Sequence, residues 1–566
     1  MKNIVCLLIF LAALRPALSD AQLAADPVSS RTPARAVLRG ERPPVDLDKV
    51  PTESMDPTRI RIKFSETMSA FVDRVKITTD RDVNTVFGIP SVDALNRSYR
   101  VAAAGQTFSI ALRSTEYSDR HHLWGLNLWF DLVVPGGTDI RKMVRDYGAL
   151  SEIGHSEPVF KKELIGNVES SPAGAANAPA AMLSWTPNDP RFAEQWDYNN
   201  TGQQGGTPGA DISMPEAWDL CKGNPSVIVA VIDGGIDIVH PDLSPNLWSG
   251  IGYNFVDDSP TVTAHFHGTH VAGTVAASTN NATGVAGIAG GSGSGNGVRL
   301  MSCQVFTNSS SGGFENAFIW AADHGAAISQ NSWIYSVAGE YDLVVLEAID
   351  YFNVNGGGQV LNGGLTVFAA GNNNSSGQYY PACYSGTYAV AGTNNHDKKA
   401  WYSNYASWVD IAAPGGETNP VPARGVLSTV PGNTYSFYQG TSMACPHVSG
   451  VAGLVVSLAP AQLSSQDVKT ILSSTADNID AVNPTYIGML GSGRLNAYAA
   501  LQMTQTYLNP SVPLPPQALN AQTINTSQIS LSWTPNTSYD SVLLAFNTEN
   551  VFGTPSGNLL PGQPVP

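Results

Sequence analysis

Continuous apolar runs, rather than simple alternation, mark the middle of the chain. Val227-Ile228-Val229-Ala230-Val231-Ile232 is one such run, bounded by turn residues. A run of this kind reads as a buried central strand of a parallel sheet. Leu300 to Phe306, Ala326 to Gln330, Leu365 to Ala370 and Tyr388 to Gly392 repeat the pattern. Between and after them, Phe314 to His324, Tyr341 to Phe352, Leu463 to Ala476 and Asn496 to Gln505 are patterned as helices. Strands alternating with helices predict an α/β fold, a parallel sheet covered by helices on both faces.

The flanking regions are patterned differently. Arg59 to Phe64 alternates like a half-buried strand, and Leu126 to Val134 reads as another. Thr138 is placed to cap a helix running through Tyr147, and Pro158-Val159-Phe160 gives a last strand. Together these predict a small α+β unit. Residues 20–57 are polar and rich in Pro and Arg, and Ser170 to Ala181 is an Ala/Pro/Ser-rich linker. After Asn509 a stiff Pro-rich spacer precedes two strands, Gln528 to Trp533 and Tyr539 to Phe546. This short β segment resembles the opening of a fibronectin type III module with Trp533 in its core.

The first residues bear on location. Lys2 precedes the apolar run Ile4 to Leu14, and Ala17-Leu18-Ser19 supplies small residues before Asp20. That is the pattern of a signal peptide, and the run is too short for a permanent span. The expected divisions are 1–19 signal peptide, 20–186 leader, propeptide unit and linker, 187–505 main domain, and 506–566 spacer with partial β module. The product is expected to be secreted or held in the cell envelope, with no membrane span in its mature form. A net charge of −16 argues against nucleic acid as a partner. Charged residues make up 13% of the chain, and 54 Gly and 37 Pro imply abundant turns. Cys6 falls within the signal peptide. Cys221, Cys303, Cys383 and Cys445 remain, which allows three pairings and selects none. Cys303 and Cys445 stand in apolar contexts that suit buried thiols.

Candidate chemistry collects where apolar elements meet Gly-rich turns. Asp233, in Val-Ile-Asp-Gly-Gly, ends the first buried strand. His267, in His-Gly-Thr-His-Val-Ala-Gly-Thr, opens a helix of small residues. Ser442, in Gln-Gly-Thr-Ser-Met-Ala-Cys-Pro-His-Val, opens another. Pro446 is expected in the first turn of that helix, where a missing amide costs nothing. A serine alone at a helix start is an ordinary N-cap. With a histidine and a carboxylate it becomes a nucleophile with its base and orienting group.

These three segments resemble the subtilisin-like serine proteases, the subtilases, and their order Asp, His, Ser is the subtilisin order. The match spans Pro187 to Gln505, about 320 residues, an ordinary size for one domain. The resemblance implies a secreted serine endopeptidase acting on proteins or peptides through an acyl-enzyme. Ser442 would attack, His267 would move the proton, and Asp233 would hold the imidazole. His270, His240 and His447 are expected to be structural. Asn372, in Val367-Phe-Ala-Ala-Gly-Asn, matches the oxyanion donor. The P1 side chain would lie between Ser332-Trp333-Ile334 and Ala369-Ala370-Gly371, with Tyr379 at the floor. Ile334 stands where the family has Gly, so either a shallow pocket or an Ile334 turned into core is expected.

A structural Ca²⁺ site of the thermitase branch is also implied. Asp189, Asp242 and Asn281 would contribute side-chain oxygens, and Ser278, Thr283 and Val285 carbonyls. Arg59 to Leu164 resembles a subtilase propeptide, which implies a self-processed precursor with its own intramolecular inhibitor. A monomer is expected. The competing expectation is an inactive subtilase acting as a peptide-binding or adhesive protein.

Overall fold

The computed structural model describes residues 8–11, 41–82, 84–165, 185–293, 295–508, 517–525, 528–534 and 542–545. Its main sheet has seven strands. They are β1 (Ile228–Gly234), β2 (Leu247–Asn254), β3 (Arg299–Phe306), β4 (Ile328–Asn331), β5 (Leu365–Ala369), β6 (Tyr388–Thr393) and β7 (Ile411–Pro414). All neighbouring pairs are parallel, in the order β2-β3-β1-β4-β5-β6-β7. The five expected apolar runs are β1, β3, β4, β5 and β6, shifted by a residue or two; β2 and β7 were not expected. From Val229 onward every residue of β1 is buried, as a strand covered on both faces requires. The chain leaves β1 toward β3 on one side and β4 on the other. The carboxyl end of β1 is therefore a topological switch point, where open α/β sheets place their sites.

Four helices matter for the site: α1 (Phe266–Ala276), α2 (Phe314–Asp323), α3 (Leu343–Asn355) and α4 (Thr441–Leu458). α1 packs on α4 and on β1, α4 also crosses β4 to β7, and α2 packs on α3. α4 is long and apolar enough to span a membrane, but 94% of its most apolar window is buried inside the fold. It is an interior helix.

The N-terminal α+β unit is a four-stranded antiparallel sheet, ordered Ala103–Gln106, Trp129–Val133, Met55–Phe64, Ile153–Phe160. Helices Pro90–Tyr99 and Ile140–Gly148 accompany it. One hydrophobic cluster runs through Ile60, Ile62, Phe130 and Leu132 of this unit and Phe314, Phe318, Val344 and Phe352 of α2 and α3.

Several sequence expectations are corrected. Leu126–Leu128 form a 3-10 turn and the strand begins at Trp129. Asp139, not Thr138, caps the second helix, its carboxylate accepting from Lys142 N (3.0 Å); Thr138 Oγ1 donates instead to Pro135 O. A short strand, Lys162–Leu164, follows the expected last one; three residues are too few to show periodicity. Pro446 lies inside α4, past the first turn. Its absent N–H leaves the Ser442 carbonyl without its helical donor, and Ser332 Oγ donates there instead (3.1 Å).

The four cysteines are free thiols, Cys303 and Cys445 fully buried. In a separate compact unit, Gln517–Asn525 pairs antiparallel with Gln528–Thr534, and Leu8–Leu11 with Val542–Ala545. The cleavage stretch Ala17 to Asp20, the linker Ser170 to Ala181, the Pro-rich spacer and the side chain of Trp533 lie outside the described residues.

Candidate active site

Asp233, His267 and Ser442 come from three elements: the end of β1, the first turn of α1 and the first turn of α4. All three are buried. Gly268 lets α1 close onto β1, because a Cβ there would lie 1.9 Å from the Gly234 carbonyl oxygen. His267 Nδ1 donates to Asp233 Oδ1 (2.7 Å), and Gly234 N donates to the same oxygen (2.6 Å). This bond puts the imidazole proton on Nδ1 and leaves Nε2 as a free acceptor; Nε2 has no partner in the structure. His265 caps α1, its Nδ1 accepting from His267 N (3.2 Å), and burial holds its pKa below the ordinary range.

Ser442 Oγ is held by the end of the N-terminal α+β unit rather than by His267. Strand Lys162–Leu164 pairs antiparallel with Trp333–Tyr335, Leu164 opposite Trp333 and Lys162 opposite Tyr335. Ile165 N donates to Ser332 O (3.1 Å), which continues the ladder by one residue. The Ile165 carbonyl oxygen then accepts from Ser442 Oγ. A main-chain carbonyl is thus presented to the serine hydroxyl by an extended segment, the pose of a peptide bond awaiting attack.

Asn372 lies beside this carbonyl. Its Oδ1 accepts from Thr441 N and Thr441 Oγ1, both at 2.9 Å, which turns its Nδ2 donor away from that threonine. Gly440 has φ +147°, a conformation open to glycine alone. A Cβ there would lie 3.0 Å from Asn372 Nδ2 and 3.4 Å from the Ile165 carbonyl oxygen. The missing side chain keeps the space between amide and carbonyl clear.

Of the residues expected to wall P1, Ser332 meets Ile165 directly through its carbonyl. Ala369, Ala370 and Gly371 leave β5, fully buried, and Gly371 N is tied to Thr441 Oγ1 (3.1 Å). Ile334 is 2% exposed, yet it stands outside the hydrophobic cluster that contains its neighbours Trp333 and Tyr335. Alternation along the strand puts Ile334 on the face opposite Trp333 and Tyr335, where it too is buried. Tyr379 is half-buried.

The other histidines are structural. His270 Nε2 lies within hydrogen-bond reach of Ser436 O (3.1 Å) and Val426 O (3.2 Å), its ring stacks on Tyr438, and burial pushes its pKa down to about 3. His447 spans Met443 O and Asp197 Oδ2, and His240 contacts Thr434 O.

The expected calcium residues form one loop cluster. Asp189 Oδ2 accepts from Asn280 N (2.7 Å), and Asp242 accepts from Val285 N (3.1 Å) and Tyr435 OH (2.8 Å). Ser278 N donates to Asp242 O, and Thr283 N to Asn281 Oδ1. One detail differs from expectation. Asn281 presents Nδ2, not its oxygen, to Asp242 Oδ1 (2.8 Å). Burial, aided by the charge of Asp242, pushes Asp189 up to about 6, and burial raises Asp242 as well. Two desolvated carboxylates and a set of hard oxygens fit a divalent cation. Among the described residues, no three acidic, His or Cys side chains form a metal cluster.

Sequence reasoning missed Ile165, because its place at Ser442 arises from a three-residue strand pairing across the chain.

The subtilase family model matches residues 224–500. Thermitase from Thermoactinomyces vulgaris is 37% identical over 323 residues, covering 56% of this chain and 100% of that protein. The thermophilic serine proteinase of Bacillus sp. strain AK1 is 35% identical over 342 residues, covering 60% of this chain and 77% of that protein. Fervidolysin from Fervidobacterium pennivorans, a solved structure described as a keratinolytic enzyme related to subtilisin, matches with a TM-score of 0.54 at 23% identity. It covers 85% of this chain and 64% of that one, a likeness of fold.

Proposed function

The chain belongs to the subtilase family of serine endopeptidases, and from that premise we propose that it is a secreted member, made as a precursor that cleaves itself after Ile165. The observation that carries this reading is the Ile165 carbonyl oxygen on Ser442 Oγ. In the proposed reaction Ser442 Oγ attacks that carbonyl carbon while His267 Nε2 takes the hydroxyl proton. Asp233 keeps the imidazole in the required tautomer and stabilises its charged form. Asn372 Nδ2 donates to the oxygen as it becomes an oxyanion. The imidazolium then protonates the leaving nitrogen of Gly166, and water releases the acyl group from Ser442 by the reverse proton path. Protein and peptide substrates would follow the same course once the prosegment leaves.

Residues 41–165 act in this reading as inhibitor as well as folding partner, since their last residue occupies the nucleophile. Asp189, Asp242 and Asn281 with the carbonyls of Ser278, Thr283 and Val285 would hold Ca²⁺, after Asn281 turns its oxygen inward. The ion would offset the repulsion of two buried carboxylates and tie the loop at 278–285 to the start of the domain. Residues 1–19 would direct export.

Expression of the full chain and of Ser442→Ala tests the proposal. Wild type should yield a species beginning at Gly166 or further on, and should label with a fluorophosphonate. Ser442→Ala should remain full length after export and label with none. Normal maturation of purified Ser442→Ala without added protease would sink self-processing.

A further inference from the structure

Asp342 is fully buried, yet every hydrogen bond to its carboxylate comes from the prosegment. Oδ1 accepts from Phe160 N (3.0 Å), and Oδ2 accepts from Lys162 Nζ (2.5 Å) and Arg61 Nη1 (3.2 Å). When the prosegment departs, all three donors go with it. Asp342 caps the start of α3 without bonding to it through its side chain, so nothing in the helix replaces them.

Lys162 is the fourth residue back from the carbonyl on Ser442, counting Ile165 as the first. It sits opposite Tyr335 in the same ladder that presents Ile165. Its side chain is only 3% exposed. The ammonium lies 4.7 Å from the Tyr335 ring centroid and 5.1 Å from that of Phe314. Asp342 N donates to Tyr335 OH (3.1 Å), which fixes that ring beside the carboxylate. Two aromatic faces and one carboxylate make a built cation site, and burial from water strengthens each term. A cavity of about 580 Å³ opens beside it, lined by Arg61, Lys162, Phe314 and Glu315. Glu315, 3% exposed, is a second carboxylate within reach of a longer side chain.

We propose that Asp342, Tyr335 and Phe314 form a substrate subsite that selects Lys or Arg four residues before the cleaved bond. The prosegment fills it with Lys162 in the precursor, and a cationic substrate side chain takes that place in the mature enzyme. This rests on the endopeptidase reading above and adds a substrate class to it.

The test uses the enzyme matured from the full chain and a peptide series identical except at that position, which carries Lys, Arg, Leu or Glu. Leu or Ile precedes the cleaved bond throughout. Desolvated charge pairs of this kind discriminate strongly, so kcat/KM for Lys and Arg should exceed that for Leu by at least about tenfold, with Glu lower still. Asp342→Asn keeps a good N-cap for α3. It should abolish the preference for Lys over Leu. If no peptide in the series is hydrolysed, the endopeptidase reading fails. If wild type cleaves Leu as well as Lys, or if Asp342→Asn retains the preference, the subsite fails while the enzyme stands. The wild-type series needs no variant to fold.

Discussion

Arg61 is the perturbation that weighs most on the hold of the prosegment. Its side chain is 4% exposed and meets three carboxylates: Asp131 (2.8 Å), Asp342 (3.2 Å) and Glu315 (3.3 Å). The last two belong to the catalytic domain. Replacing the whole set by apolar groups would cost little, but removing one partner strands the others in low dielectric, at about 3–5 kcal/mol. Arg61→Met keeps most of the stem and removes the charge. Lys162 then remains as the cation for Asp342, and some carboxylates will protonate, so the lower end, about 3 kcal/mol, is expected. That is roughly a hundredfold weaker hold. The assay is the lag between cleavage, followed by gel, and the rise of peptidase activity, which requires the tail to leave Ser442. Arg61→Met should shorten the lag by more than about tenfold at neutral pH, with Arg61→Lys intermediate. Burial already raises the neighbouring Glu157 carboxyl. A carboxylate that is easier to protonate in the complex favours the complex at low pH, and this advantage fades as pH rises through its raised pKa. The hold should therefore tighten, and the lag lengthen, as pH falls through that raised pKa. An unchanged lag at neutral pH would refute the view that these ion pairs hold the prosegment.

Further outcomes follow from other sites. If the buried Ile334 side chain fills the P1 pocket, substrates with Ala or a medium aliphatic residue at P1 should exceed Phe by about tenfold or more in kcat/KM, and Ile334→Gly should shift preference toward aromatics; a profile led by Phe with no shift in the variant would show that Ile334 does not narrow the pocket. Calcium at about 100 times its dissociation constant should stabilise the mature enzyme by about 2.7 kcal/mol, so EDTA should lower Tm and Asp242→Ala should remove that response; a Tm indifferent to both discards the site. Burial raises the pKa of all four thiols, Cys383 up to about 12; Cys303 and Cys445 should therefore resist iodoacetamide until the chain unfolds, and rapid native labelling of either would contradict their burial.

Five of the seven strands were legible in the sequence because burial on both faces leaves unbroken apolar runs, as in Val227 to Ile232; Leu247–Asn254, partly exposed, and the four-residue Ile411–Pro414 were not. The residues around Ser442, His267 and Asp233 were legible because each sits where such an element meets glycines. What periodicity did not reveal depends on contacts distant in the chain. Lys162–Leu164 carries no pattern of its own and is a strand only because Trp333–Tyr335 offers it an edge. Pro446 looked like a first-turn residue; its place inside α4 is supported by Ser332 Oγ, which donates to the carbonyl of Ser442, 110 residues further along the chain. Ile334 shares a strand with Trp333 and Tyr335 but faces the other way, and sequence alone could not say that both faces are buried.

In the proposed self-processing, the strand that brings Ile165 to Ser442 would also set the reaction order of activation. Bond and nucleophile belong to one molecule, so their encounter needs no collision, and the effective concentration of one for the other is fixed by the fold. Conversion of the precursor should then be first order, with a half-time that survives dilution unchanged. Cleavage of one chain by another would slow in proportion. Protein exported a few copies at a time into a large volume would mature as fast as protein at high density. Its activation would be timed by its own folding rather than by its abundance.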